Sequence, residues 1–203
     1  EKTALAEAEI EYHDHISTTI FARFPVKSTP LKKLSDYEII IWTTTPWTMP
    51  GNRAVAYGEN IEYSLIEITT VDENSLAKTG DKIVIAKDLL DEVVKELSIS
   101  SYNIIDILKG SDFKGSILSH PLCKHGYDHD VPLLEADFVT TDQGTGFVHI
   151  APGHGADDFE LGKKNKLPIP ETVSDNGILD VDLPLLGGLR VLKDNEKKFK
   201  NNF

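Results

Sequence analysis

Four threonines and two tryptophans crowd the seven-residue segment Trp42-Thr43-Thr44-Thr45-Pro46-Trp47-Thr48. An apolar stretch that is typical of a strand comes directly before it, so the hydroxyl groups fall at a strand end, on both faces. Pro46 disfavours helical geometry at Thr45 and suits the first position of a helix, which makes Thr45 a candidate N-cap. The unpaired amides of such a helix start favour an anion or a polarised carbonyl. The alternative interpretation is a tight turn with capping threonines and no ligand.

A second segment, residues 144–159, is dense in glycine, proline, histidine and aspartate. It begins at Gly144, continues as a predicted strand that ends near His149, and turns into a predicted helix over residues 156–164. Asp157 and Asp158 fall in the first turn of that helix, where carboxylates interact favourably with the helix dipole. Helix capping alone would explain the aspartates, but together with His149 and the glycines they predict a ligand site. The Gly-Lys-Ser/Thr pattern of a phosphate loop is missing from the segment.

Short strands outnumber helices in the predicted secondary structure. The strands are predicted over residues 19–26, 38–42, 53–57, 61–69, 82–86, 102–108, 131–141 and 146–150. Besides the helix over 156–164, apolar residues at helical spacing predict a helix over 89–97 with Asp88 as its N-cap, and residues 112–124 are predicted to be loop. Because strands and helices do not alternate regularly, we expect a mixed α+β domain with β-barrel character.

The size and composition of the chain exclude several classes of protein. Its 203 residues, with a mass of 22.5 kDa, are enough for one large domain or two small ones. A content of 40% hydrophobic and 27% charged residues excludes a disordered, collagen-like or coiled-coil chain. No apolar run approaches the ~20 residues of a membrane-spanning helix. The single cysteine, Cys123, excludes an internal disulfide and therefore a disulfide-stapled secreted scaffold.

The charge balance is acidic, with 33 aspartates and glutamates against 21 lysines and arginines, a net charge of −12. A nucleic-acid-binding domain normally carries a basic face, because neutralising phosphates drives its affinity. This chain would need a local basic patch, or a larger protein around it, to hold RNA. Since Met49 is the only methionine, we expect a single domain, residues 1–203, that belongs to a longer protein, with residues 1–15 and 194–203 as connecting arms.

The threonine segment and the glycine–histidine segment, in this order and about a hundred residues apart, closely resemble the editing domain of bacterial-type isoleucyl-tRNA synthetases. The resemblance covers essentially the whole chain and implies the editing-domain fold of the class I synthetases. In the related valyl and leucyl enzymes an arginine and an acidic residue stand where this chain has Thr45 and Trp47, which favours the isoleucyl type. Met49 and Gly51 stand where the family more often has leucine and alanine.

The resemblance implies a proofreading hydrolase of the cytoplasm that removes valine wrongly attached to tRNA(Ile) and helps to clear valyl-adenylate. A pocket that accepts isoleucine discriminates against valine by only about 150-fold, so a second pocket that excludes isoleucine is needed. The implied partners are the valine-bearing 3′ end of tRNA(Ile) and the remainder of the synthetase, with no membrane. The implied chemistry needs no cofactor in this domain, whereas the parent enzyme uses ATP and Mg²⁺.

Roles for individual residues also follow from the resemblance. Asp158 is implied to bind the α-ammonium group of the misattached valine by a charge-assisted hydrogen bond. His149 is implied to lie beside the valine side chain and to exclude the extra methylene of isoleucine, in a pocket shaped by Trp47 and Thr48. The resemblance also implies that three threonines hold the ribose and ester and position the attacking water: Thr43, Thr44 and Thr45. The remaining implied site residues, which would support or bind the substrate, are Asn52, Gly144 and Asp157.

Two questions of mechanism and class remain open at this point. No base lies next to a threonine in the sequence, and a threonine nucleophile needs one, so we expect a positioned water with carbonyl polarisation instead. A non-catalytic module that grips the tRNA acceptor end is the main alternative, and a phosphate-binding domain built on the glycines is a second. The intact residues 43–48 together with Asp158 favour the hydrolase.

Histidine and cysteine also cluster at His120, Cys123, His125 and His129. Side chains of these types at such gaps can bind zinc. The usual Cys-x-x-Cys pair is missing, however, and only one thiolate is available. We therefore expect no metal site here.

Overall fold

The computed structural model describes residues 18–191 of the chain. Residues 1–15 and 194–203, the expected connecting arms, lie outside this described part. The strands and helices of the described part are β1 (Ile20–Ser28), β2 (Glu38–Thr43), β3 (Ala54–Tyr57), β4 (Glu62–Val71), β5 (Lys82–Ala86), α1 (Leu90–Glu96), β6 (Ile99–Lys109), β7 (Ile117–Ser119), β8 (Asp130–Glu135), β9 (Phe147–Ile150) and α2 (Ala156–Lys164).

The strands form one sheet in the order β6-β4-β5-β2-β1-β7-β8-β3-β9. The pairs β2–β5 and β3–β8 are parallel, and the other neighbours are antiparallel. Although β2 and β9 are separated by four strands in this order, they pack against each other. The strands between them therefore curve round an interior, as in a barrel. The predicted α+β class with β-barrel character is confirmed.

Continuous apolar runs form the centre of the sheet. Residues 39–41 of β2 and 83–86 of β5 are all buried. Runs of this kind are typical of strands that are covered on both faces. The helix α1 packs against β5 and β6 and buries Leu90, Val93 and Val94, which recur at helical spacing. Neither α1 nor α2 has the length and apolarity that crossing a lipid bilayer requires.

The start of β9 is fixed by a close contact with the core. Gly146 has φ +78°, and a Cβ atom at this position would lie 2.2 Å from Cβ of Ala86, so a larger residue would displace β9. The hydroxyl of Tyr63, which is fully buried, donates a 2.8 Å hydrogen bond to the carbonyl of Gly146 and accepts one from the amide of Gly58. Burial raises the pKa of Tyr63, which keeps the donating proton in place. These contacts set the position of the strand that carries His149.

The structure corrects three local predictions. The helix α1 begins at Leu90 after a 3₁₀ turn, Lys87–Leu89, so Asp88 lies within that turn and is not the N-cap. The strand predicted over residues 131–141 ends at Glu135, because the chain turns after it and Val139 packs into a small second core instead of extending the strand. The predicted loop over residues 112–124 contains a three-residue strand, β7.

Candidate active site

The two segments singled out in the sequence meet beside β2 and β9. The strand β2 ends at Thr43 and is followed by a 3₁₀ helix, Pro46–Gly51, while β9 carries His149 and is followed by α2. A pocket of about 260 Å³ opens between these elements. Its lining residues are Trp42, Thr43, Thr45, Trp47, Thr48, Val148, His149, Ala151, His154 and Asp158.

The threonine hydroxyls form a row along the pocket. The Thr43 hydroxyl oxygen accepts a 3.1 Å hydrogen bond from the amide of Thr45, and the Thr48 hydroxyl donates a 2.8 Å bond to the carbonyl of Thr45. The Thr45 hydroxyl lies 3.3 Å from that of Thr43 and 3.4 Å from that of Thr48. Thr45 occupies the N-cap position, as predicted, but its side chain makes no capping hydrogen bond, and the helix that follows is 3₁₀. Its hydroxyl is therefore shared with its neighbours and the pocket.

His149 is held at both ring nitrogens. Its Nδ1 lies 2.7 Å from Nδ2 of Asn52, and its Nε2 lies 2.9 Å from the Thr48 hydroxyl. The same Nδ2 of Asn52 donates a 2.8 Å hydrogen bond to the carbonyl of Ala54. Turning the amide over would place its oxygen against that carbonyl, two acceptors facing each other. The amide therefore donates to Nδ1, and the hydrogen of the neutral ring resides on Nε2.

This tautomer gives the contact between His149 and Thr48 a direction. Burial lowers the pKa of His149 to about 3, so the ring is neutral near pH 7. The Nε2–H group donates a hydrogen bond to the Thr48 hydroxyl, and the Thr48 hydroxyl donates its own hydrogen bond to the carbonyl of Thr45. His149 is thus a donor to Thr48 and not a base for it. The contact joins residues 101 positions apart, so no local sequence pattern indicates this hydrogen bond.

Asp158 presents a half-buried carboxylate to the pocket from the first turn of α2. One of its oxygens accepts a 2.8 Å hydrogen bond from the amide of Ala151. Burial raises the pKa of Asp158, and the bond from Ala151 opposes that rise. A carboxylate has about four acceptor positions in all, so capacity remains for a cationic group in the pocket.

Arg53 and His129 hold carbonyl groups at the end of the 3₁₀ helix. Nη1 of Arg53 donates to the carbonyls of Pro50, at 3.2 Å, and of Asn52, at 2.5 Å. Nε2 of His129 lies 3.0 Å from the Asn52 carbonyl. Burial lowers the pKa of His129, and the nearby Arg53 lowers it further. These bonds fix the backbone that carries Thr48.

His120 belongs to the same support. Its side chain is fully buried, with Nε2 3.0 Å from the carbonyl of Met49 and Nδ1 accepting from the amide of Leu122. Burial lowers the pKa of His120 to about 4. Within residues 18–191, no three side chains among histidine, cysteine, aspartate and glutamate are grouped so as to hold a metal ion. Of the clustered histidines, His120 and His129 hydrogen-bond to backbone carbonyls, and His125 is exposed.

A family model described as leucyl-tRNA synthetase, editing domain, matches residues 30–183. That stretch is more than half of the chain and includes both segments that form the pocket. The chain belongs to the editing-domain family of the isoleucyl- and leucyl-tRNA synthetases. The resemblance expected from the sequence is therefore confirmed.

The similar curated proteins of this family are isoleucine–tRNA ligases. The editing domain described here is 51% identical over 195 residues to the ligase of Pelagibacter ubique, which covers 96% of this chain and 21% of that protein. It is 48% identical over 195 residues to the ligase of Gluconobacter oxydans, which covers 95% of this chain and 20% of that protein. The chain thus spans about a fifth of the length of these relatives.

Solved structures share the fold of this editing domain. The crystal structure of GlLeuRS-CP1 aligns with a TM-score of 0.56 at 16% identity, over 72% of this chain and 58% of that one. The cytosolic leucyl-tRNA synthetase editing domain of P. knowlesi aligns with a TM-score of 0.56 at 12% identity, over 73% of this chain and 64% of that one. At these identities the likeness concerns the fold alone.

Six of the expected site residues line the pocket of the editing domain, and four do not. The six are Thr43, Thr45, Trp47, Thr48, His149 and Asp158. Asn52 lies buried beneath it, in contact with His149. Thr44 is exposed outside the lining, Asp157 is exposed on the first turn of α2, and a Cβ atom at Gly144 would lie 3.7 Å from the ring of Trp42.

Four lining residues were given no role from the sequence. They are Trp42, Val148, Ala151 and His154. All four lie inside the two segments described from the sequence, so their positions within a motif were the available signal. What was missing is the direction of each side chain, which depends on how β2 and β9 pack.

Proposed function

We propose that this editing domain hydrolyses the ester of valine misattached to tRNA(Ile). One observation carries the proposal. A row of threonine hydroxyls, a neutral donor histidine and a carboxylate face a single pocket, in a chain of the synthetase editing family. The pocket volume of about 260 Å³ lies below the ~300–1,000 Å³ of typical small-molecule sites, which suits a group of amino-acid size.

Asp158 would bind the α-ammonium group of the aminoacyl ester. A carboxylate that is half-buried and already ordered by the amide of Ala151 loses little freedom when it accepts from an ammonium group. Hydrogen bonds between ionised partners are roughly twice as strong as neutral ones. This contact would orient the carbonyl carbon of the ester toward the threonine row.

Thr48 and His149 would supply the size limit. Both are buried, and each hydrogen-bonds to the other and to a further fixed group. Such a wall cannot recede without breaking hydrogen bonds, and forcing an extra methylene into a packed site costs ~1–3 kcal/mol. Valine would fit beside this wall, whereas isoleucine would be excluded.

The hydrolysis itself would use water and no covalent enzyme intermediate. The hydroxyls of Thr43 and Thr45 can each donate to an ester or ribose oxygen and accept from a water molecule. The water oxygen bonds to the ester carbon, the bond from that carbon to the ribose oxygen breaks, and valine and tRNA with a free terminal hydroxyl are released. Because His149 donates to Thr48, a threonine nucleophile activated by this histidine is disfavoured. No step in this scheme needs a cofactor.

The function is tested by measuring deacylation of Val-tRNA(Ile) and of Ile-tRNA(Ile), with the domain in its natural protein and with the 203-residue chain at high concentration. We expect release of valine and retention of isoleucine. Retention of both amino acids by both proteins would contradict the hydrolase. Calorimetry with a non-hydrolysable valyl-adenosine amide then identifies the alternative, since binding without hydrolysis would mark a module that only holds the tRNA end.

A further inference from the structure

We propose that His154 is the proton-transfer residue of this pocket. In this role it takes the proton from the attacking water and delivers it to the ribose oxygen that leaves. The inference rests on the hydrolytic function proposed above. It assigns the proton transfer to one side chain, whereas positioned threonines alone would leave this transfer to bulk water.

His154 lines the pocket as an exposed residue whose ring has a fixed partner at one nitrogen. Its Nε2 lies 2.7 Å from the hydroxyl of Thr172, and Thr172 is itself 1% exposed. A Cβ atom at Gly51 would lie 3.1 Å from Cδ2 of His154 and 3.3 Å from the hydroxyl oxygen of Thr172, so the backbone of the 3₁₀ helix abuts the same edge of the imidazole. The amide of His154 donates to the carbonyl of Ala151, which closes the turn before α2. The ring is therefore held along its Cδ2–Nε2 edge while it lines the same pocket as Asp158.

The two histidines of the pocket differ in what their nitrogens can do. His149 has both nitrogens engaged, and its fixed partner Asn52 permits one tautomer. Among residues 18–191, Nδ1 of His154 has no hydrogen-bond partner, and the partner of its Nε2 is a hydroxyl. A hydroxyl can donate or accept after a simple rotation. His154 can therefore gain a proton at Nδ1 and lose it again while the bond to Thr172 is kept.

The charges around His154 suit a base near neutral pH. Burial lowers the pKa of His154, so its ring is neutral at pH 7 and able to accept a proton. The groups that face it electrostatically are Asp158, whose charge favours the protonated ring, and the neutral His149. Once Asp158 binds the substrate ammonium, its charge is compensated, which leaves His154 free to return its proton.

The reaction balances with these groups. Water attacks the ester carbon, and its proton moves to Nδ1 of His154 as the carbon–oxygen bond forms. The tetrahedral intermediate collapses, the bond to the ribose oxygen breaks, and the proton moves from Nδ1 to that oxygen. His154 ends neutral, as it began, and no further reactant is consumed.

The test compares His154→Gln with the unaltered protein in single-turnover deacylation of Val-tRNA(Ile), with enzyme in saturating excess, between pH 5 and 8. Glutamine keeps a polar partner for Thr172 but cannot carry the proton. We expect a loss of about 10²–10⁴-fold in rate at pH 7. The unaltered protein should lose rate as the pH falls through the pKa of His154, and the variant should lack this acid limb. Saturation keeps Asp158 paired with the ammonium, so Asp158 does not produce the limb.

Two further measurements separate proton transfer from a structural role. Calorimetry with the non-hydrolysable valyl-adenosine amide should give the same affinity for His154→Gln and the unaltered protein, and added imidazole should restore rate to His154→Ala. The matched control is His125→Gln, which changes an exposed histidine outside the pocket. An unchanged rate and pH profile in His154→Gln, or a loss of rate that follows a loss of analogue affinity, would overturn the inference while the hydrolase stands. If the unaltered protein releases no valine, the proposed function fails and the inference fails with it.

Discussion

The side-chain amide of Asn52 lies 2.7 Å from Nδ1 of His149, and this contact decides which ring nitrogen carries the hydrogen. The same amide nitrogen is tied to the carbonyl of Ala54, so it cannot turn over without setting two oxygens against each other. The consequence reaches the pocket, because His149 then donates to Thr48. Asn52, outside the pocket lining, thereby sets the hydrogen-bonding direction of two residues inside it.

We predict that nitrogen chemical shifts of His149 at pH 6 report a neutral ring with its hydrogen on Nε2. In Asn52→Asp the new carboxylate can only accept, and one of its oxygens faces the Ala54 carbonyl, so Nδ1 should become protonated and the signals of the ring with hydrogen on Nε2 alone should be lost. Long-range proton–nitrogen correlation spectra distinguish the two tautomers. Asn60→Asp, at an exposed asparagine, is the control and should leave the His149 signals in place. A hydrogen on Nδ1 in the unaltered protein would refute the assignment.

We predict that acid destabilises the fold, because two histidines are buried in their neutral form. Burial lowers the pKa of His149 to about 3 and that of His120 to about 4. In the unfolded chain both protonate near pH 6.5, so between pH 6.5 and 4 the unfolded state binds protons that the folded state does not. The free energy of unfolding should therefore fall as the pH falls, by up to about 1.4 kcal/mol per pH unit for each histidine.

Urea denaturation at several pH values measures this slope. In His120→Gln the slope between pH 6.5 and 4 should be smaller, because one of the two groups no longer titrates, while glutamine retains a donor for the carbonyl of Met49. His125→Gln, at an exposed position, should keep the slope of the unaltered chain. Equal slopes in all three proteins would show that buried neutral histidines do not govern the acid sensitivity.

Local patterns of apolar residues predicted most strands and helices, because these patterns reflect which residues of each element are buried. The apolar runs of β2 and β5 and the helix α2 lie where the sequence placed them. The prediction of Asp88 as the N-cap of α1 was wrong because a 3₁₀ turn and an α-helix begin with the same residue types. The strand predicted over 131–141 was too long because Val139 is buried in a turn, where its apolarity resembles that of a strand residue.

The sequence predicted which residues belong to the site but not how their side chains are arranged. The motif resemblance placed Thr48 and His149 in one pocket, yet their direct contact depends on the packing of β2 on β9. Of the donors that hold the 3₁₀ helix, Arg53 follows the helix closely in sequence, whereas His120 bonds to a carbonyl 71 positions away and no local pattern indicates that contact. His154 stood in a quoted motif, but only its contact with Thr172 distinguishes it from a turn residue.

Removing one methyl group from the pocket wall should relax its selectivity. Thr48→Ser keeps the hydroxyl that joins His149 to the carbonyl of Thr45, so the hydrogen-bonded chain survives while space opens for one carbon. A methylene in such a pocket is worth about 1–3 kcal/mol, or 10–200-fold. We expect deacylation of Ile-tRNA(Ile) to rise by about tenfold or more, with little change for Val-tRNA(Ile). The control is Thr140→Ser, at an exposed threonine. If the ratio of the deacylation rates of Ile-tRNA(Ile) and Val-tRNA(Ile) is the same in Thr48→Ser as in this control, Thr48 is excluded as the size limit.

The charge of Asp158 can be removed without removing its role in the turn. In Asp158→Asn the amide oxygen can still accept from the amide of Ala151, so the start of α2 should stay in place. The attraction to an α-ammonium group is lost, and a hydrogen bond to a charged group contributes about 1.5–3 kcal/mol, which corresponds to roughly 10–150-fold. We expect the KM for Val-tRNA(Ile) to rise by that factor, and the affinity for a valyl-adenosine amide to fall equally. Glu160→Gln removes a charge from an exposed position of the same helix and is the matched control. Unaltered analogue affinity in Asp158→Asn would show that the ammonium binds elsewhere.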